Sequence, residues 1–209
     1  MTEVVLYDFW RSSASYRVRI TLNLKGVAYR SVPMDLTQGM QSSPDYIAIN
    51  PQGLVPALAI DGLLLTQSLA IIDYLDAQYK DPPMVSSDPA SRSRTLAQAL
   101  LIAADIHPLN NLRVLHYLRG ELGQGEEAIN VWYRHWIAEG FVALEQQAPT
   151  EGLFGGASPN MADVCLVPQM ANARRFDAPL DAYPKLVAID AALRALPAFA
   201  AAAPEAVKS

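Results

Sequence analysis

The sequence predicts an α/β domain followed by an all-α domain. Residues 1–82 show the order strand, helix, strand, helix, strand, strand, helix, whereas only helical periodicity is evident from residue 88 to residue 209. A Pro- and Ser-rich segment, residues 80–89, separates the two halves and is typical of a linker. We therefore predict two domains, residues 1–82 and residues 88–209.

The first strand and the first helix are predicted from an apolar run and the polar residues after it. Residues 4–10 form the run VVLYDFW, and three serines follow within residues 12–15. Apolar residues then alternate from Tyr16 to Leu24, a pattern typical of a half-buried strand. We nevertheless predict a helix, because the serines suit a helix start and Gly26 suits a helix end.

Turn residues and apolar runs define the other elements of the first domain. Pro56 is tolerated in a strand only at an edge or with an unusual backbone such as a cis bond. We predict, in chain order, a strand at residues 28–33, a mobile loop at 36–45, a turn at 50–53, a β-hairpin of residues 54–60 and 63–66 joined by Asp61-Gly62, and a helix at 69–78 capped by Gln67 and Ser68.

The second domain is predicted to be helical throughout. Asn160 and Asp163 have the spacing of a capping box, with Asp in place of the usual Glu. We predict one long helix at residues 92–122 interrupted by Pro108, a helix at 126–147, a helix from the capping box through Phe176 kinked at Pro168, a helix that starts at Pro184, and a short Ala-rich helix near the end.

The hydroxyl-rich start of the first helix allows two interpretations. Ser12, Ser13 and Ser15 lie where the backbone N–H groups of a helix are unpaired, so they suit simple capping. The same N–H groups, the hydroxyls and the neighbouring Arg11 also suit an anion such as a thiolate, a phosphate or a carboxylate. Local sequence alone favours capping.

Composition excludes several classes of protein. Hydrophobic residues make up 51% of the 209 residues and charged residues 18%, so the chain is not intrinsically disordered. The net charge of −5 argues against nucleic-acid or anionic-membrane binding. The start lacks a signal-peptide core, and no apolar run approaches the ~20 residues that span a bilayer. We expect a cytoplasmic protein.

The single cysteine and the three histidines predict neither a disulfide nor a metal site. Cys165 lies in the apolar run VCLV and is interpreted as a core thiol. His107, His116 and His135 are scattered and lack neighbouring cysteines or paired carboxylates, so we predict no metal.

Five motifs in one order resemble the zeta class of glutathione transferases, whose bacterial members include maleylacetoacetate and maleylpyruvate isomerases. Residues 11–20 (RSSASYRVRI) resemble the SSC-x-x-RVRI signature of that class, with Ala14 at the position of its cysteine. Besides this signature, the five motifs are Asn50-Pro51 with Val55-Pro56, residues 67–72, residues 105–111, residues 163–169, and residues 171–176. The resemblance implies a thioredoxin-like N-terminal domain, a helical C-terminal domain and a homodimer.

The resemblance also implies the site residues. Ser12 and Ser13 match positions beside the thiol of glutathione, and Arg11 lies next to them. The matched contacts of the glutathione cofactor are Ser12, Gln41, Val55, Pro56, Gln67, Ser68, His107 and Asn111. Arg11 and Arg175 match positions for the carboxylates of a small dicarboxylic acid, and Arg113, two residues past Asn111, is assigned to the same role. Arg17 and Arg19 are interpreted as structural.

The reaction that the resemblance implies is the glutathione-dependent cis–trans isomerisation of maleylacetoacetate to fumarylacetoacetate, a step of aromatic catabolism. A thiolate adds to the double bond, the resulting single bond rotates, and the thiolate leaves again. The alternatives are a maleylpyruvate isomerase, a zeta-class transferase acting on small electrophilic or halogenated acids, and a non-enzymatic interaction module. Because Ala14 replaces the cysteine, any chemistry must use the serines and the sulfur of glutathione.

Overall fold

The computed structural model describes residues 3–208. Its elements in chain order are β1 Val5–Asp8, α1 Ser13–Leu24, β2 Arg30–Pro33, α2 Pro44–Ile49, β3 Ala57–Ile60, β4 Leu63–Thr66, α3 Ser68–Gln78, α4 Pro89–Leu100, α5 His107–Leu109, α6 Leu112–Gly120, α7 Glu126–Gln147, α8 Met161–Arg175, α9 Pro184–Arg194, α10 Pro197–Ala202 and α11 Pro204–Val207.

The chain divides into two compact units. The first runs to Met84 and also includes the segment from Ala195 onward, and the second is Val85–Arg194. The boundaries that the sequence predicts, residues 1–82 and 88–209, stay a prediction.

The first unit contains a mixed sheet, whose strand order within the described residues is β2-β1-β3-β4. β2 is parallel to β1, whereas β3 is antiparallel to both β1 and β4. Asp61 and Gly62 have positive φ angles of 53° and 76° and close the β3–β4 hairpin that the Asp-Gly pair predicts. A core of Leu6, Val18, Leu22, Leu58, Ile60, Ile71 and Leu75 joins the sheet to α1 and α3.

Residues 13–24 form a helix, as predicted, in spite of their alternating pattern. Gly26 follows the helix with a φ of 64°, the left-handed conformation that a C-terminal glycine supplies. Residues 15–22 are all buried, so both faces of α1 are covered. The alternation therefore reflects a helix buried on two sides.

One face of α1 is covered by α10, near the end of the chain. Tyr16 Oη donates to the Phe199 carbonyl at 3.4 Å, and Arg19 Nε donates to the Ala202 carbonyl at 3.0 Å. Arg19 also donates to the Asp8 carboxylate at 2.6 Å and to the Trp10 carbonyl at 3.0 Å. Arg19 is 1% exposed, so this buried cation joins β1, α1 and α10.

In the second unit, α8 is buried along most of its length and starts with the predicted capping box. Asn160 Oδ1 accepts from the backbone N–H groups of Ala162 and Asp163, and the Asp163 carboxylate accepts from the N–H of Asn160 at 2.9 Å. Asp163 also accepts from Phe154 and Gly155, at 3.0 and 2.8 Å. This carboxylate therefore fixes the preceding loop as well as the helix start.

Two predictions of local structure are wrong. Residues 36–45 contain short 3₁₀-helices at Leu36–Gln38 and Met40–Ser42 and the start of α2. The side chain of Asp35 caps the first of these by accepting from Thr37 N. Residues 92–122 do not form one helix, because the chain leaves the helix after Leu109 and restarts at Leu112.

Three other features concern Cys165, the lengths of the helices and the grouping of metal-binding side chains. Cys165 is fully buried on α8, as predicted for a core thiol. Across residues 3–208, none of the helices has the length and apolar content that crossing a membrane requires. In the same range no three His, Cys, Asp or Glu side chains are grouped to hold a metal ion.

Candidate active site

Ser12 forms the start of α1. Its backbone is extended, with a φ of −69° and a ψ of 124°, and its Oγ accepts from the N–H of Ser15 at 3.2 Å. The capping that the sequence favours is therefore present. Accepting this bond uses only a lone pair of Ser12 Oγ, so the O–H proton can still be donated. Within residues 3–208, that proton has no hydrogen-bond acceptor. Ser12 can thus cap the helix and still donate to a ligand.

Arg11 makes the start of α1 more positive. Its guanidinium carbon lies 5.7 Å from the Phe9 ring centre and 5.4 Å from the Trp10 ring centre. These cation–π contacts hold an exposed guanidinium against the two aromatic side chains that precede α1. Ser13 is the first helical residue, and Ala14 follows it with only a methyl group. An anion placed here would meet hydroxyls and positive charge.

A tightly bonded turn precedes β3. Tyr46 Oη and Asn50 Nδ2 both donate to the Leu54 carbonyl, each at 2.7 Å. Burial raises the pKa of Tyr46 to about 12, so its hydroxyl remains a donor at neutral pH. Gly53 has a φ of 60°, and an added Cβ would lie 3.0 Å from the Gln41 carbonyl oxygen. The turn therefore requires glycine at this position.

The turn presents an unused peptide group at Val55. The Val55–Pro56 bond is cis, and β3 begins at the next residue, Ala57. Within residues 3–208, the backbone N–H and C=O of Val55 have no hydrogen-bond partner. Val55 is only half-buried. A bound peptide could pair with it as an added strand does.

The start of α3 differs from the prediction. Gln67 and Ser68 are not side-chain caps: Gln67 makes no capping bond, and Ser68 is the first residue of the helix. Gln67 has a φ of 67° and a ψ of 114°, a strained conformation for a residue other than glycine. Its Nε2 donates to Gln52 Oε1 at 2.7 Å. This conformation ends β4 abruptly and turns the chain into α3.

Ser68 is 7% exposed, and its hydroxyl accepts from Arg17 Nη1 at 3.1 Å. As with Ser12, the described chain offers no acceptor for its O–H proton. Ser68 begins α3, so the N–H groups of the first turn add the positive end of the helix dipole at this place. Ser68 is therefore suited to donate to an anion.

The strand register places the beginnings of α1, β3 and α3 at one edge of the sheet. Tyr7 on β1 pairs with Ala57 on β3, and Ala57 pairs with Thr66 on β4. Ser12 follows β1 in the chain, Val55 precedes β3, and Ser68 follows β4. Six of the predicted residues of the first unit, Arg11, Ser12, Val55, Pro56, Gln67 and Ser68, thus belong to segments that meet at this edge.

Gln41 lies against the same turn through its backbone carbonyl, which faces Gly53. Its side-chain Oε1 is buried and has no hydrogen-bond partner in the described part of the chain. A buried amide oxygen without a partner is costly unless a ligand supplies a donor. Gln41, Val55, Ser12 and Ser68 therefore offer the unused donors and acceptors that a peptide with a carboxylate requires.

Three predicted residues of the second unit lie in the short stretch from the start of α5 to the first turn of α6. His107 begins α5, and Asn111 caps α6 by accepting from Arg113 N at 3.2 Å. Asn111 Oδ1 is thereby used, which leaves its amide N–H groups as donors. Arg113 is exposed.

Arg175, the fourth predicted residue of the second unit, is the last residue of α8 and lies against an aromatic stack. Its guanidinium carbon lies 4.7 Å from the Phe176 ring centre, and Phe176 stacks on Tyr133 at 3.5 Å between centres. Tyr133 Oη accepts from Asn172 Nδ2 at 2.9 Å. The stack supports an exposed guanidinium at the end of the helix.

Sequence reasoning missed two features. Arg17, which the sequence predicts to be structural, contacts Ser68. Its place in an alternating RVR pattern is the signal for this contact, because buried arginines need partners. Residues 101–106 form a π-helical turn between α4 and α5. Pro108 lacks an N–H for residue 104, and its presence is the signal for such a disturbance.

Comparison with known proteins gives consistent results. Residues 2–77 match the family described as glutathione S-transferase, N-terminal domain. A relative in Vibrio cholerae, named probable maleylacetoacetate isomerase, is 50% identical, covering 98% of this chain and 97% of its own. The holo structure of a zeta-class maleylpyruvate isomerase is 44% identical with a TM-score of 0.96, covering 98% of this chain and 99% of that chain.

The chain belongs to the zeta class of glutathione transferases. A further structure from this class of fold, a Methylobacterium extorquens maleylacetoacetate isomerase described with bound malonate and GSH, is 39% identical with a TM-score of 0.93, and the match covers 97% of each chain. The fold class that the sequence predicts for this zeta-class protein, a thioredoxin-like domain and a helical domain, is confirmed.

Proposed function

We propose that the protein is a glutathione-dependent cis–trans isomerase that converts maleylacetoacetate to fumarylacetoacetate. The observation that carries the proposal is the edge of the sheet where Ser12, Val55 and Ser68 present unused hydrogen-bonding groups. These groups fit glutathione, which has a thiol, a peptide backbone and a charged γ-glutamyl end. The high identity with relatives named for this reaction supports the same conclusion.

When bound, glutathione supplies a sulfur nucleophile that adds reversibly to the double bond of the substrate and so permits rotation. Ser12 keeps that sulfur ionised by donating its O–H, with Ser13 and Arg11 beside it. Lowering a thiol pKa of ~8.5 by about two units requires about 2.7 kcal/mol. A helix N-terminus supplies roughly 0.3–2 kcal/mol and a hydrogen bond to a charged group roughly 1.5–3 kcal/mol. No protonatable partner is needed.

The other residues hold the two ligands. Val55 and Pro56 orient the cysteinyl backbone of glutathione, and Gln67 and Ser68 bind the γ-glutamyl end. Further contacts come from Gln41, His107 and Asn111. Arginines are suited to a dicarboxylic substrate, because their planar N–H fork matches a carboxylate. We assign this role to Arg11, Arg113 and Arg175.

Replacement of Ser12 by alanine is expected to raise the pKa of the bound glutathione thiol by at least one unit, because the O–H donor is lost. Titration of the ultraviolet absorbance of the thiolate measures this. The variant also loses the helix cap, which costs about 0.5–2 kcal/mol of stability. Ser12→Thr keeps both hydroxyl functions and is the control. An unchanged thiol pKa in Ser12→Ala would refute the role.

Replacement of Arg175 by alanine is expected to raise the KM of the substrate by tenfold or more and the KM of glutathione by less than about twofold. One charged hydrogen bond, about 1.5–3 kcal/mol, corresponds to such a change. Steady-state kinetics with each component varied measures both constants. Arg119→Ala, which removes a partly exposed arginine of the same unit that pairs with Glu126, is the control. Equal changes in both KM values would remove Arg175 from this role.

Maleylpyruvate is the second candidate substrate, because a structure with a TM-score of 0.96 carries that name. An assay of both substrates with catalytic glutathione, following loss of the cis enol absorbance, separates them by kcat/KM. Glutathione recovered unchanged after many turnovers supports an isomerase. Stoichiometric consumption of glutathione would instead indicate a conjugating transferase, and failure to bind glutathione a non-enzymatic module.

We further propose a homodimer in the cytoplasm. The edge strand β4 exposes the adjacent Leu63 and Leu64, 49% and 44%, and an apolar edge strand of this kind is a surface that a second copy of the chain could cover. The single cysteine suits a reducing compartment.

A further inference from the structure

Arg17 is a buried cation at the start of α3. It lies on α1, is 2% exposed, and donates from Nη1 to the Ser68 hydroxyl at 3.1 Å. Ser68 and Arg17 are 51 residues apart in sequence. Burial of a guanidinium is costly, and an ordinary helix start does not require one. The contact therefore calls for an explanation beyond packing.

We propose that Arg17 is a positioning residue for the carboxylate of the γ-glutamyl end of glutathione, acting through Ser68. This role rests on the proposed glutathione site. Arg17 donates to a lone pair of Ser68 Oγ, which turns the single hydroxyl proton of Ser68 away from the guanidinium. Within residues 3–208, this proton of Ser68 has no hydrogen-bond acceptor. Arg17 thus orients the Ser68 O–H towards the ligand.

Charge contributes as well as orientation. Arg17 is shielded from water, so its positive charge is screened less than that of an exposed arginine. A hydroxyl that accepts from a cation is also polarised and becomes a better donor. Both effects favour an anionic group at Ser68 and add to the dipole of α3. A neutral group at the same place would gain from neither.

The predicted consequence is selective. Loss of Arg17 should weaken binding of glutathione, which has the γ-glutamyl carboxylate. It should scarcely affect binding of 4-aminobutyryl-cysteinylglycine, which is glutathione without that carboxylate. A residue that only supports the fold would weaken both peptides alike.

Isothermal titration calorimetry of the full chain with the two peptides tests this. We expect Arg17→Met to weaken glutathione binding by about tenfold, or 1.4 kcal/mol, and binding of the shortened peptide by less than about twofold. In a Ser68→Ala background the effect of Arg17→Met on glutathione binding should be smaller than in the wild type, because only the charge of Arg17 and no oriented hydroxyl then acts. Arg30→Met, which removes an exposed arginine of the same unit, is the control for charge.

Arg17→Lys provides a second test if Arg17→Met fails to fold. Lysine keeps the charge without the guanidinium fork, so it should weaken glutathione binding less than tenfold, again sparing the shortened peptide. Equal weakening of both peptides by either variant, or an undiminished effect in the Ser68→Ala background, would overturn the role of Arg17. If the wild-type protein binds neither peptide, the proposed function itself is overturned, a result that the wild-type titration gives before any variant is made.

Discussion

Replacing Arg19 by methionine is expected to lower the free energy of unfolding by about 3–5 kcal/mol, because the change leaves the buried Asp8 carboxylate without its cation. Asp8 is 4% exposed, and burial already raises its pKa against the opposing effect of Arg19. Urea unfolding followed by circular dichroism measures the change. Arg30→Met, which breaks an exposed pair with Glu3, is the control and should leave stability unaltered.

A second variant separates the ion pair from the other bonds of Arg19. Replacing Asp8 by leucine together with Arg19→Met removes both charges and should restore part of the lost stability. Recovery should be incomplete, because the carbonyls of Trp10 and Ala202 still lose their donor. A loss below about 1 kcal/mol in the single variant would mean that the pair contributes little.

Replacing Asp163 by alanine is expected to cost about 3 kcal/mol or more, since three backbone N–H groups lose a charged acceptor. Thermal and urea unfolding measure this. Asp163→Asn keeps one oxygen acceptor and should cost less. If alanine and asparagine are equally damaging, charge and not hydrogen bonding explains the effect of Asp163.

The same carboxylate predicts a pH dependence. Burial raises the pKa of Asp163 to about 6, while the bonds from Asn160, Gly155 and Phe154 act in the opposite direction. An unfolded Asp has a pKa of ~3.9, so the folded protein binds the proton more tightly. The stability of the wild type relative to Asp163→Asn should therefore rise as the pH falls from 7 through 6 towards 4. A pH-independent difference would contradict this.

Sequence predicted those parts of the fold that neighbouring residues determine. Ser12 with Gly26, the Asp61-Gly62 turn and the Asn160–Asp163 box each act within a few residues, so their patterns are visible locally. The short helices at residues 36–42 were missed because they are polar and lack periodicity. The π-helical turn was missed because one proline predicts a disturbance without its form.

The candidate site was predictable only in part for a similar reason. Resemblance supplied Ser12, Val55 and Ser68 as positions, but which of their hydrogen-bonding groups remain unused depends on distant residues. Arg17 reaches Ser68 from another helix, and Gln41 meets Gly53 from another turn. Such pairings follow from tertiary packing, which spacing along a single chain does not encode.

The bond from Arg19 to the Ala202 carbonyl spans 183 positions of the chain. At roughly 5–20 residues per second, the ribosome needs about 10–40 s to make that stretch. Until residue 202 has been made, a nascent α1 lacks this bond, although the strands of its sheet, which end at Thr66, are made earlier. A protein fused behind residue 202 therefore has to leave that carbonyl accessible to Arg19.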